Sequence, residues 1–235
     1  MALLFGTNNY VYVPPNAGFN TLTSNITVSC WVNIQTAGSM QMFINRQVSA
    51  TPANEWWSLN LLGQSPRALI GDGASVLNVQ QAGTPILVLN TWYFLAFTFN
   101  GTTCDLYRDG QLVGTGTRTQ TFPADTSGVV IGANAQAAND TGVTEFTFGY
   151  IEDIRLYNRV LTQNELLCVM NCEGRDYIYD GLLFRLTMDE LGEGTVANGA
   201  NAIRDCGPML MHGTPYGSCV YGNTIRGLLR PPTVL

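Results

Sequence analysis

Lysine does not occur in this chain, histidine occurs once, and charged residues make up only 12% of its 235 positions. An ordinary soluble domain carries about 25%. The eleven basic residues are all arginines, scattered from Arg46 to Arg230 without a cluster, and the net charge is −6. No phosphate-tracking stripe can be drawn from them, so nucleic acid is not an expected partner. An anionic membrane surface is disfavoured for the same reason. The one histidine, His212, lies in a turn-rich Met-His-Gly-Thr stretch, which argues against a nucleophilic triad, and without a CxxC pair a zinc site is not expected. Long hydrophobic runs are also missing. Ile86 to Leu89 and Trp92 to Phe97 are of strand length, well short of the roughly 20 residues that span a bilayer. The opening MALLFGTNNYVYVPP has no basic n-region and turns polar after Phe5, so it does not read as a secretory signal. The expected location is therefore a virion surface, or an extracellular one reached without a signal in this chain.

What is present is a strand-and-turn pattern. Hydrophobic residues reach 46% and glycine is plentiful. Alternating apolar runs recur at Leu3 to Val13, Ile26 to Ile34, Gln41 to Asn45, Trp56 to Leu62, Val76 to Gln80, Trp92 to Phe99 and Cys104 to Tyr107, separated by Gly, Asn, Asp and Pro. That spacing predicts an all-β antiparallel sandwich. Asp109-Gly110 predicts a two-residue hairpin with positive φ at both positions. One helix is expected, capped by Thr162 with Glu165 reaching back and running to about Asn171. The Gly71-Asp72-Gly73 stretch lacks P-loop spacing and reads as a turn.

Six cysteines permit up to three bridges. Cys30 and Cys104 sit inside apolar strands and read as core thiols. Cys206 and Cys219 flank a short turn-rich segment and form the pair singled out for a disulfide. Trp56 and Trp57 are neighbours on one strand, so one is expected to face away from the core, where it would serve as a ligand-binding surface.

Four segments in order resemble the laminin-G-like branch of the concanavalin A-like fold. Met1 to Pro14 is similar to the family's opening strand, and Ile26 to Val32 to its "I-T-x-S-x-W-V" strand. Asn90 through Gly110 resembles its Trp-led strand and "lYvDG" hairpin. Phe148 to Leu161 resembles its closing "G-x-I-D-D-V-R-I-Y-N-R-A-L" strand. The resemblance covers about residues 1–170 and implies a jelly-roll sandwich with Trp31 and Trp92 as packing residues. Gly181 to Glu190, Asp205-Cys206-Gly207 and His212 to Pro215 resemble the segment that usually precedes the opening strand, as though the family order were circularly permuted. Residues 171–222 are therefore expected to complete the same sandwich, with 181–219 closing either their own domain or a neighbour's sheet edge. Residues 223–235 read as an extended Pro-rich arm.

The resemblance also implies a calcium site between the opening and closing strands, with Asp153 and a backbone carbonyl near Gly6 as ligands. Catalysis is not expected. Glu152 and Asp153 are adjacent on a strand and point to opposite faces, and the E-x-D-x-x-E array of related hydrolases is absent. The function expected first is a non-catalytic structural subunit, a virion decoration, cement or fibre protein that assembles with other structural subunits. The alternative is a carbohydrate- or cell-surface-binding module whose partners are glycans.

Overall fold

The computed structural model describes residues 1–48, 55–83, 87–122, 124–136, 142–171 and 176–222; the expected arm at 223–235 lies outside them. Two antiparallel sheets face each other across one hydrophobic core. The strands are β1 (Ala2–Phe5), β2 (Tyr10–Val13), β3 (Asn25–Ile34), β4 (Met40–Gln47), β5 (Glu55–Leu62), β6 (Ser65–Gly71), β7 (Val76–Gln80), β8 (Trp92–Asn100), β9 (Thr103–Arg108), β10 (Gln111–Thr117), β11 (Val129–Ile131), β12 (Gly149–Tyr157), β13 (Leu182–Leu186), β14 (Thr214–Tyr216) and β15 (Val220–Gly222). An eight-stranded sheet runs β10-β9-β8-β3-β12-β1-β15, with β13 also on β12, and a seven-stranded sheet runs β14-β2-β11-β4-β5-β6-β7. The sandwich with one short helix expected from the sequence is the fold observed.

Period-2 alternation explains the core. Val28, Cys30 and Val32 of β3 meet Leu59, Leu61, Ala68 and Ile70 of the opposite sheet in one buried cluster. A fully buried side chain of this kind contributes about 1.5–3 kcal/mol over exposure. The other face of β3 and β8 presents Trp31, Trp92, Phe94 and Ala96 to the helix α1 (Gln163–Asn171), which covers them with Leu166, Val169 and Met170. The helix begins as its sequence requires. Thr162 N donates to Glu165 Oε2 at 2.7 Å and Glu165 N to Thr162 Oγ1 at 3.3 Å. The Asp109-Gly110 turn has φ of 50° and 76°, and a Cβ on Gly110 would collide with Leu167 of that helix.

The run from Leu3 to Val13 is not one strand. The chain turns at Asn8, where φ is 63°, so β1 joins one sheet and β2 the other. Strand β6 falls where Pro66 and Arg67 hide the alternation. Pro66 is tolerated because it lies near the start of its strand.

The tail folds back on its own chain. Strand β13 pairs with β12, β14 with β2 and β15 with β1. Strand β12 thus has two partners along one side, β1 opposite 149–151 and β13 opposite 154–157. Asp153 sits at the junction in a bulge, with φ of 48°. Its carboxylate accepts from Arg155 Nη2 at 2.9 Å and Arg185 Nε at 2.7 Å, while Arg155 also pairs with Asp176 at 2.9 Å.

Candidate functional site

The outer face of the seven-stranded sheet carries a row of polar side chains where an exposed sheet face would need only scattered ones. Asn45, Ser58, Asn60 and Arg67 are all buried, alternating along their strands with core residues. They are buried in part because residues 132–136 and 142–148 fold back over the sheet: Gly132 N donates to Phe43 O, Met42 N to Glu145 O, and the Asn45 side chain bonds to the Ala133 carbonyl and the Ala135 N–H. Between this wall and strands β6 and β7 lies a cleft of about 350 Å³, lined by Met40, Gln47, Arg67, Leu69, Val76 and Asn78 from the sheet and by Asn134, Gln136, Thr144 and Glu145 from the wall. Its size is at the small end of ligand pockets, about 300–1,000 Å³.

Five of the cleft's polar groups are held by neighbouring side chains. Arg67 Nε donates to Asn60 Oδ1 at 2.8 Å, its strand neighbour, and Arg67 Nη2 lies 3.4 Å from Met40 Sδ. Asn134 Nδ2 donates to Glu145 Oε2 at 2.7 Å and Gln136 Nε2 to Thr144 Oγ1 at 3.0 Å. Glu145 itself stands in the left-handed region, at φ 51°. A non-glycine residue there is costly and tends to mark a position fixed for a purpose.

None of the residues singled out from the sequence belongs to this cleft. Trp56 and Trp57 are both buried, at 6% and 0% exposure, so neither offers a ligand-binding face. The β4–β5 pairing shifts register between Arg46 and Gln47, and Trp56 turns inward to donate to the Asp125 carboxylate, which also binds Arg46. A regular strand would have kept one indole outside. The expected calcium ligands do not converge either. In the β1–β12 ladder Phe5 pairs with Gly149 and Leu3 with Ile151, so Gly6 and Asp153 lie about five residues, or roughly 17 Å, apart along the strands. Both Asp153 oxygens are taken by guanidinium groups, and a cation there would meet Arg155 and Arg185. These residues do not fit a calcium ion. Among the described residues no cluster of carboxylates, thiols and imidazole has metal-binding geometry. The expected Cys206–Cys219 bridge is also corrected: both thiols are free, Cys206 exposed and Cys219 buried against the carbonyls of Tyr10 and Tyr216. Burial pushes the Cys219 thiol up to about 12. His212 accepts through Nδ1 from Asp205 N at 3.0 Å, which braces a turn.

A family model described as the concanavalin A-like lectin/glucanases superfamily matches residues 5–167. The chain belongs to that superfamily. Its concanavalin A-like sandwich is shared with several solved structures. A candidate carbohydrate-binding protein from Bacteroides ovatus superposes with a TM-score of 0.67 at 18% identity, over 94% of this chain and 59% of its own. The present chain thus spans under two thirds of that protein. The CBM40 of the Ruminococcus gnavus IT-sialidase, bound to α2,3-sialyllactose, gives 0.56 at 15% identity, over 72% of this chain and 94% of that one. The binding domain of botulinum neurotoxin DC in complex with SialylT gives 0.51 at 13%, over 69% and 39%. At such identities the likeness is one of fold. No curated protein matches the sequence.

Sequence reasoning missed the cleft because its parts come from a strand masked by Pro66 and from a wall with little regular structure. One signal was available. Asn45, Ser58, Asn60 and Arg67 place polar side chains at every second position of apolar strands, which is how a half-solvated sheet face reads.

Proposed function

We propose that this chain is a non-catalytic glycan-binding module and that the cleft over β6 and β7 is its binding site. The observation that carries the proposal is the cleft itself: a pocket of about 350 Å³ whose lining mixes apolar side chains with amide, hydroxyl, guanidinium and carboxylate groups, of which Arg67, Asn134, Gln136, Thr144 and Glu145 are held by neighbours before any ligand arrives. Pre-positioned polar groups are what a hydroxyl-covered ligand needs, because few side chains must then be immobilised on binding. The ligands in two of the fold relatives, sialyllactose and SialylT, support the second of the functions expected from the sequence over the first. A virion decoration or fibre role draws no support from these relatives.

A binding role without turnover is supported by the carboxylate count. Glu145 is the one carboxylate among the described side chains lining the cleft, whereas glycoside hydrolysis in most families uses a pair flanking the scissile bond. Such a role implies work at an extracellular or virion surface. The test is a glycan array with the whole chain, followed by calorimetry on the best hits and on Asn78→Ala. Saturable binding that the variant weakens is the expected result. An array with no signal, or hits indifferent to Asn78, would remove the proposal.

A further inference from the structure

We infer that the cleft selects a neutral, hydroxyl-rich sugar unit over one that carries a carboxylate. The inference rests on the glycan-binding reading and gives it a ligand class. Its basis is which hydrogen-bonding atoms the protein leaves over. Glu145 Oε2 is taken by Asn134 Nδ2, while Glu145 Oε1 has no protein partner among the described residues. Asn134 has spent one of its two N–H donors on that bond, and its own Oδ1 is buried with no partner. Gln136 has spent its Nε2 on Thr144 Oγ1 and on the Ala135 carbonyl, at 3.0 and 3.4 Å, which leaves its Oε1. The wall therefore presents the Glu145 and Gln136 oxygens as acceptors beside an Asn134 N–H and the Thr144 hydroxyl, a mixture met by a ligand group that both donates and accepts. A sugar hydroxyl donates one hydrogen. A sugar carboxylate at neutral pH donates none and adds two more acceptors.

Charge points the same way. Among the described lining residues Arg67 and Glu145 carry one charge of each sign, and the Arg67 guanidinium is already turned toward Asn60 and Met40 on the sheet side. A ligand carboxylate would enter between that guanidinium and the Glu145 carboxylate, gaining from one and losing to the other. The net charge of −6 adds a field that repels anionic glycans on approach. Glu145 cannot simply swing aside, because its backbone is held by Met42 N at 3.1 Å and its carboxylate by Asn134.

The experiment compares matched pairs of immobilised oligosaccharides, each neutral chain beside the same chain extended by sialic acid or oxidised to a uronate, using the full chain and Glu145→Gln. The expected result is that neutral members bind about tenfold or more tightly than their acidic counterparts and that Glu145→Gln narrows this gap while weakening the neutral members. Asn78→Asp, at an exposed rim position, should widen the gap and covers the case in which Glu145→Gln fails to fold. Equal or tighter binding of the acidic members by the wild-type chain overturns the inference and leaves glycan binding standing. Absence of binding to every member of every pair overturns both.

Discussion

Arg185 Nε lies 2.7 Å from Asp153 Oδ1, and this contact ties the C-terminal tail to the strand that closes the family's sandwich. Asp153 and Arg155 belong to β12, Arg185 to β13, and Asp176 to the segment that joins the helix to β13. All four are charged, and Asp153 and Arg155 are almost wholly buried. Removing one member strands the others without water. We therefore expect Asp153→Asn to cost about 3–5 kcal/mol of unfolding free energy, measured as a loss in denaturant midpoint at unchanged slope. Pairing it with Arg185→Met should recover part of that loss, since the second change removes a stranded cation.

The same group sets the response to acid. Burial alone would raise the Asp153 carboxyl, but the Arg155 and Arg185 guanidiniums more than offset it and hold it below the usual range. For Glu165, the hydrogen bond from Arg159 at 2.6 Å comes first, and the Thr162 backbone N–H helps to hold the carboxyl at about 2 against an ordinary 4.5. Both folded values lie below the unfolded ones. The stability they contribute is complete above about pH 5 and is lost as pH falls through the folded values. Thermal midpoints should therefore drop steeply below about pH 4. The drop should be shallower in Asp153→Asn, which has already forfeited its share. A variant whose acid limb parallels that of the wild type would contradict this assignment.

Gly132 begins the cleft wall at φ 83°, and a Cβ there would run into the Phe5 ring. Its N–H donates to Phe43 O and its carbonyl accepts from Thr147 N at 2.8 Å, so the residue cannot move away without releasing the wall. Gly132→Ala should cost about 3 kcal/mol, from overpacking together with a left-handed backbone that now bears a side chain. It should also weaken glycan binding more than a core variant of equal stability cost does. Calorimetry on two variants matched in midpoint makes the comparison.

Much of the architecture was legible because it depends on local patterns. The Thr162–Glu165 cap and the Asp109-Gly110 hairpin follow from residue type and spacing over a few positions, the packing of Trp31 and Trp92 follows from the family resemblance, and each appears as read. The misreadings share one cause. Trp56 turned inward because β4 and β5 slip register beside Arg46. Asp153 lost its place as a metal ligand because a bulge in β12 brings it to Arg185, 32 positions later. Cys206 and Cys219 stay apart although only a short segment separates them. In each case a bulge or a long-range partner overrode the periodicity, and neither leaves a mark in neighbouring residues. The cleft escaped for a similar reason, since Glu145 and Arg67 line it together from positions more than seventy residues apart.

Ala2 pairs with Gly222, so both described ends of the chain emerge at the same corner of the eight-stranded sheet, while the cleft opens on the outer side of the other sheet. A tether at either end would hold the molecule by its back and point the cleft outward. A pocket of this size, with no aromatic among its described lining residues, would grip one sugar unit modestly. Many copies fixed by that corner on a common support would meet a sugar-coated surface together, and each attachment would raise the local concentration for the next. Avidity, set by spacing and tether length, would then decide how firmly such an array holds.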